Sequence, residues 1–322
     1  MTLDKKFLKK IKGDASFRSF YRKEYRKKKS IIVVAKKEKK KNLLIYDAIN
    51  KLLIKNGIRA PKLLNHNYHK NYIEIEDFGK LTIYSILKNK KKNKLQIFKK
   101  IIVLLNKMQK IKNNKIKNFN NKNYILPVYS KKLIADESKL FLKWYIPNIF
   151  IKKKALTLNK KLTTKINLLL SKLKLKNNTF VHRDFHVSNL MIKNKKLCVI
   201  DCQDAVFGNI AYDLASLIDD VRLKTHMNFK KNIFDEYIKS NKKINVENFK
   251  NDFEILSVLR NLKIIGIFTR LSIRDKKHKY LKLIPYAWKL IEQRIENNKK
   301  FIELKIILDK YFSKKLRNKY EN

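Results

Sequence analysis

The chain has 322 residues, enough for two domains of ordinary size or one bilobed unit. Its hydrophobic content of 44% makes a sizeable core available, and the absence of any run of ~18 apolar residues excludes a membrane-spanning helix. The formal charge of +52 comes mostly from Lys spread along the whole chain, with Asn and Ile inflated alongside it, which points to A/T-rich coding and a solvated lysine surface and away from a dedicated nucleic-acid or anionic-membrane binder.

Where Lys is the default cation, an Arg is informative, because its planar fork has no Lys equivalent. Glycine is informative too: only Gly13, Gly57, Gly79, Gly208 and Gly266 are present. The opening "MTLDKKFLKKIKG" has no apolar run of signal-peptide length. Cys198 and Cys202 lie four apart in an expected strand, about 13 Å at strand rise, too far for a disulfide and suited to packing. Free thiols without a signal segment point to the cytoplasm.

In chain order, residues 14–26 and 30–36 read as two strands rich in Tyr, Phe, Ile and Val. Residues 39–56 carry apolar side chains at helical spacing, and Asn56-Gly57 supplies a stop. "PKLLNHNY" and "NYIEIED" read as a strand pair, broken by Asp77-Phe78-Gly79. Beyond residue 80 the pattern is mostly helical, over 81–88, 94–111, 131–151 and 160–175. A short β region follows with "TFVHRDF" and the hairpin "LMIKNKKLCVID", then helices at "AYDLASLIDDV", "FDEYIKS", 246–273 and 283–310. The lysine runs near 88–94 and 107–117 read as exposed loops or helix ends. The expected class is α+β and bilobed: residues 1–79 form a small β-rich lobe with its hinge, and 80–322 a larger helical lobe.

"VHRDFHVSNL", residues 181–190, carries the chemistry. Phosphoryl transfer needs a carboxylate near the attacking hydroxyl and oxygen ligands for Mg²⁺ on the phosphates. Asp184 can take or orient the hydroxyl proton; Asn189 and the strand-terminal Asp201 can hold the metal. The spacing H-R-D-x-x-x-x-N between two strands matches the kinase catalytic loop. A protein kinase is disfavoured on three counts. His186 stands where those enzymes usually place Lys, a helix starts within about a dozen residues of Asp201, and no G-x-G-x-x-G exists. A small-molecule acceptor is therefore expected.

"FVHRDFHVSNLMI" with "VIDCQDAVFGNIAYDLASL" resembles the aminoglycoside phosphotransferase and choline kinase superfamily, whose fold is protein-kinase-like. "GDASFRSFYR", "IEIEDFG", "ESKLFLKWYI" and "RNLKIIGIFTRLSIRD" extend the likeness over most of the chain, narrowing it toward the bacterial anomeric kinases of N-acetylmuramate and N-acetylglucosamine in cell-wall recycling. The resemblance implies ATP and Mg²⁺ as cofactors, Asp184 as catalytic base, and Asn189 and Asp201 as metal ligands. It implies that Ser16 and Phe17 cover the ATP in place of a glycine-rich loop, that the chain through Glu76, Asp77 and Phe78 lines the adenine, and that ATP lies between the lobes. Asp213 would brace the catalytic loop, or simply favour its own helix N-terminus. His182 and His186 would support the loop conformation.

Some assignments stay open. Lys36 is either a phosphate contact, partnered by Glu38 or Asp47, or a solvated lysine. Arg260, Lys263, Arg270 and Arg274 fall within an arc of about 80° on a helix, which suits either recognition of a carboxylate or phosphate, such as the lactyl carboxylate of N-acetylmuramate, or a solvated face bonded to nearby acids. Gln203 and Asp204 either contact sugar hydroxyls or form a turn. The expected partner is a small-molecule acceptor, an N-acetylated amino sugar, with no specific nucleic acid and no membrane. Other acceptors on the same fold are an aminoglycoside, choline, thiamine or homoserine. A reading from another class is a basic nucleic-acid-binding protein on an inactive kinase scaffold.

Overall fold

The computed structural model describes residues 8–11, 17–26, 28–88 and 93–321, apart from the Glu38 side chain. The chain separates into two compact units: Met1–Pro127 with Phe180–Phe207, and Val128–Thr179 with Gly208–Asn322.

The first unit is built on a five-stranded antiparallel sheet in the order β1-β2-β3-β5-β4. Its strands are β1 (Leu8–Ile11), β2 (Ser19–Tyr25), β3 (Lys28–Val34), β4 (Leu63–Asn67) and β5 (Tyr72–Glu76). β3 lies in the middle, and its Ile32 and Val33, on opposite faces, are both fully buried, so both faces of the strand pack against the core. α1 (Lys41–Lys55) contributes Leu43 and Tyr46 to a core with Val33, Ala35, Ile73 and Ile75. It ends where the sequence indicates. Gly57, at φ +68°, lets its N–H reach the Ile54 carbonyl while Ile58 N–H reaches Leu53, a Schellman close. α2 (Ile83–Leu87) and α3 (Lys94–Gln109) follow, each N-capped by a side chain, Thr82 and Asn93.

Two short strands, β6 (Lys115–Lys117) and β7 (Asn123–Ile125), pair where the lysine pattern had suggested a loop. β1 was likewise not legible in the sequence. β6 is an alternating Lys-Ile-Lys with its flanking lysines exposed, and so short a strand carries too few apolar positions to stand out by period. β8 (Thr179–Val181) pairs with β11 (Val206–Gly208), and β9 (Leu190–Lys193) with β10 (Lys196–Val199). The β9–β10 hairpin turns on Asn194-Lys195, both at positive φ, the backbone of a type I′ turn. Phe78 packs with Met191, Cys198 and Ile200, tying the hairpin to the chain that leaves β5.

The second unit is helical: α4 (Lys131–Ser138), α5 (Lys152–Ser171), α6 (Tyr212–Ile218), α7 (Met227–Lys239), α8 (Val246–Ile273), α9 (Ile284–Ile295), α10 (Ile302–Tyr311) and α11 (Lys314–Arg317). α8 is its axis, with 18 of its 28 residues buried. The unbroken helix expected over 131–151 does not form. After α4 the chain passes through a π turn at Phe141–Tyr145 and a 3₁₀ turn at Ile146–Asn148, where Pro147 has no N–H for a continuing helix. The break seats Phe141 and Tyr145 against Trp288 and Phe312. The helix expected over 283–310 is two, α9 and α10, separated by Asn297 at φ +54°.

The two cysteines are free and fully buried, but they do not share a strand. β10 stops at Val199, and Asp201 turns the chain with φ +65° before Cys202. Among the described residues no helix is long and apolar enough to cross a membrane.

Candidate active site

The 181–190 loop is anchored by its apolar letters. Val181, Phe185, Val187 and Leu190 are all fully buried, so the polar residues between them have little freedom. His182 is buried with its Nε2 at 3.0 Å from the Ile200 carbonyl, while the Asp184 N–H donates to its Nδ1 at 3.3 Å. An accepting Nδ1 and an oxygen partner at Nε2 together specify the Nε2–H tautomer. His182 therefore fastens the loop to the end of the following hairpin. His186, also buried, directs its N–H to the Asp184 carbonyl at 3.0 Å. Arg183 takes φ +72°, a left-handed conformation that non-glycine residues rarely adopt, and its Nη1 donates to the Asp204 carbonyl at 3.1 Å.

Asn189 is fixed from two sides. Its Nδ2 donates to the Asp184 carbonyl at 3.0 Å, and its own carbonyl accepts from Ile200 N–H at 3.0 Å. With the amide nitrogen turned toward Asp184, Oδ1 presents the opposite edge of the amide as a donor oxygen. Ile200 leads directly into Asp201, so Asp184, Asn189 and Asp201 are brought together by three short links within the first unit. The left-handed turn at Asp201 takes its carboxylate off the strand line of β10. Strain at both Arg183 and Asp201 fits a site where backbone shape serves chemistry.

Asp201 meets a cation that sequence reasoning missed. Arg18 Nη2 donates to its Oδ1 at 2.8 Å. The Arg18 side chain is 4% exposed and that of Asp201 39%, so crowding on the carboxylate is one-sided. Although one edge of the Asp201 carboxylate is open, the protein packed around the rest of it strips away enough water to raise the carboxyl above the usual carboxylate range; Arg18 pulls it back, and the nearby carboxylates of Asp184 and Asp204 push it up again. A carboxylate with two others nearby suits a hard divalent ion with oxygen ligands. Among the described residues no three His, Cys, Asp or Glu are grouped for a metal.

The guanidinium of Arg18 lies 5.5 Å from the ring centres of both Phe20 and Tyr46 and 5.9 Å from that of Phe17. Its signal was present in the sequence: it is one of the scarce arginines, within the "DASFR" stretch. Burial raises the hydroxyl of Tyr124 in β7, the Asp204 carboxylate acts in the same direction, and Arg183 acts against both.

Ser16 lies outside the described residues, while Phe17 is an exposed aromatic at 43%. Lys36 is exposed at the end of β3, and Asp47 is buried and bonded instead to Lys51 at 2.8 Å. Glu76 and Asp77 are tied down. Lys193 Nζ reaches Glu76 at 2.9 Å and the Asp77 carbonyl at 2.8 Å, and Arg22 grips the Asp77 carboxylate with two bonds of 2.5 and 3.0 Å. Phe78 sits buried in the hairpin core, so its side chain stiffens this segment. Gln203, buried, donates to the Asp204 carboxylate at 2.7 Å.

In the second unit the expected arginine face resolves into different environments. Arg260 is buried and Lys263 pairs with Glu137 at 2.8 Å. Arg274 caps the end of α8 and pairs with its neighbour Asp275. Burial lowers the pKa of Arg270, and nearby Arg274 lowers it further. The Glu137 carboxylate also accepts from the Tyr129 hydroxyl, and Lys263 Nζ lies 3.5 Å from the Tyr212 hydroxyl. Asp213 is fully buried in the first turn of α6.

A model of the phosphotransferase enzyme family (APH) matches residues 8–244. The N-acetylmuramate/N-acetylglucosamine kinase of Neisseria meningitidis serogroup B is 26% identical, over 84% of this chain and 80% of its own length. The protein of that name from Pseudomonas aeruginosa is 25% identical over 79% and 73%. Among solved structures, Plasmodium vivax ethanolamine kinase aligns with a TM-score of 0.60 at 15% identity, over 89% of this chain and 81% of that one. An amicoumacin kinase in complex with AMP-PNP and Ca²⁺ aligns with a TM-score of 0.63 at 13% identity, over 90% and 89%. These neighbours carry the protein-kinase-like fold expected from the sequence. With the family model matched across residues 8–244, this protein belongs to the phosphotransferase enzyme family and is a phosphotransferase.

Proposed function

We propose that the chain is an ATP- and Mg²⁺-dependent kinase of a small hydroxylated acceptor, and that this acceptor is the anomeric hydroxyl of N-acetylmuramate or N-acetylglucosamine. The observation that carries the chemistry is the linkage of the three polar residues. Asn189 is bonded to the backbone of Asp184 and, through its own carbonyl, to the residue preceding Asp201. The acceptor class is supported by the names of two relatives that each align with more than three quarters of the chain.

In this reading residues 1–79 carry the nucleotide, with Phe17 over it and the segment Glu76–Phe78 along the adenine, and 80–322 carry the acceptor. Asp184 orients the acceptor hydroxyl and takes its proton as the oxygen attacks the terminal phosphorus and the bond to the bridging oxygen breaks, releasing ADP. Asn189 and Asp201 hold Mg²⁺, which when bound neutralises charge on the transferring phosphates. His182 and His186 keep the loop in shape, so Asp184 is held in position before the acceptor arrives.

The test is a panel of acceptors with γ-labelled ATP and Mg²⁺: N-acetylmuramate, N-acetylglucosamine, glucosamine, choline and an aminoglycoside. Label transfer to the two N-acetylated sugars, lost when C1 is blocked as a methyl glycoside, is the expected result. Faster transfer to choline or an aminoglycoside would reject the sugar assignment and keep the kinase. No transfer to any member, with hydrolysis also absent, would reject the kinase.

A further inference from the structure

We infer that Arg18 is the phosphate-binding cation of the nucleotide site, filling the place for which Lys36 was the candidate; this rests on the nucleotide reading above. Arg18 immediately precedes β2, and Asp201 follows the β9–β10 hairpin 183 residues later, yet the two meet at 2.8 Å. A guanidinium bonded to the carboxylate that would hold Mg²⁺ would lie beside the phosphates carried by the same ion, within reach of a hydrogen bond to one of their oxygens.

Three further features support the role. The side chain is buried, so its charge acts in a medium of low polarity where a phosphate contact is strong. The rings of Phe20 and Tyr46 flank it, which fixes the guanidinium before any nucleotide arrives. The planar fork can engage a carboxylate and a phosphate together, which an ammonium does less well. Lys36, by contrast, is exposed, and Asp47, one of the two acids considered for orienting it, is bonded to Lys51. Tyr46 is in α1, so the helix steadies the phosphate cation through an aromatic face where a carboxylate would otherwise serve.

The experiment measures equilibrium binding of MgATP, MgADP and AMP to the full chain without acceptor, for the parent protein, R18Q and R18K. Expected for R18Q is a loss of MgATP affinity of about tenfold or more, the worth of a charge-assisted phosphate contact, with AMP affinity changed by less than twofold. R18K should fall between the two. MgATP binding by R18Q within twofold of the parent would overturn the inference. So would an equal loss for all three nucleotides, since that marks a structural role. If R18Q gives no cooperative melt, R18K decides by the same comparison of MgATP with AMP. A K36Q variant that loses MgATP where R18Q keeps it would transfer the role to Lys36. Failure of the parent itself to bind any nucleotide would strike the kinase reading beneath, and is separable from every result on Arg18.

Discussion

Replacing Gly266 with Ala reverses a familiar sign. In an exposed helix interior that change stabilises by about 1 kcal/mol, because Ala is the better helix former. Gly266 is in the middle of α8, and a Cβ built there falls well under 3.0 Å from Leu140 C and O and from Phe141 N. Those are backbone atoms, at the start of the π turn that breaks the expected 131–151 helix, so no side-chain rotation relieves the clash. Restoring van der Waals contact requires roughly a 1 Å retreat of that backbone, an overpacking cost at or above the upper end of about 1–3 kcal/mol. Phe141 is fully buried and in ring contact with Trp288 and Phe312, so the shift spreads into the aromatic cluster. Subtracting the helix gain leaves a net loss of about 2 kcal/mol. For a unit of this size that lowers the midpoint of thermal unfolding by about 4–8 °C. Thermal and urea melts of G266A beside the parent read it directly. A midpoint equal to or above the parent would show that α8 does not need the close approach, and would refute the reasoning.

Asp184→Asn keeps the shape of the side chain and removes the proton acceptor. Its kcat should fall about 10²–10⁴-fold while the thermal midpoint and MgATP affinity stay near the parent's, and unimpaired turnover would end the base assignment. Asp219 is fully buried and holds Lys230 at 2.7 Å and Arg294 at 2.9 and 3.0 Å. Burial alone would push its carboxyl up, but Arg294 and Lys230 hold it well below the usual carboxylate range. Asp219→Asn strands the buried Lys230 and should cost about 3–5 kcal/mol in a urea melt. Because the folded pKa is depressed, the Asp219 contribution is complete above the unfolded value of about 4 and is lost as pH falls through the folded one. The stability gap between parent and variant should thus be level from pH 5 to 8 and shrink below pH 4; a gap undiminished at pH 3 would contradict it. Burial also pushes the Cys198 thiol up, so maleimide labelling at pH 7.5 should be slow in the native protein and fast in urea.

The path of the 181–190 loop was legible because its anchors are local. His182, Asp184 and Asn189 sit within one loop whose buried Phe185, Val187 and Leu190 fix its path, and "HRDFHVSN" contains both the anchors and the polar groups. Asn56-Gly57 ended α1 as read, since a Schellman close is written in neighbouring residues. The 246–273 helix was found to the residue, because 28 residues of continuous helical pattern bracketed by Asn245 leave little else to form. β1 and β6 were not legible, being too short and too lysine-rich for a period to appear. The break after Ser138 was hidden in an apolar run that suits a helix, and tertiary packing of Phe141 and Tyr145 decided it.

By itself, then, the sequence determined the reaction class, the anchored path of the 181–190 loop and the long axis of the helical unit. It could not determine that Arg18 would meet Asp201, that Asp201 would turn left-handed, or that Lys36 would stand exposed. Helical pattern, caps and turns are decided within a few residues of chain, where the letters are visible together. A charge pair 183 residues apart is decided by which strand ends the folded sheet and hairpin bring side by side, and that energy exists only after both have formed.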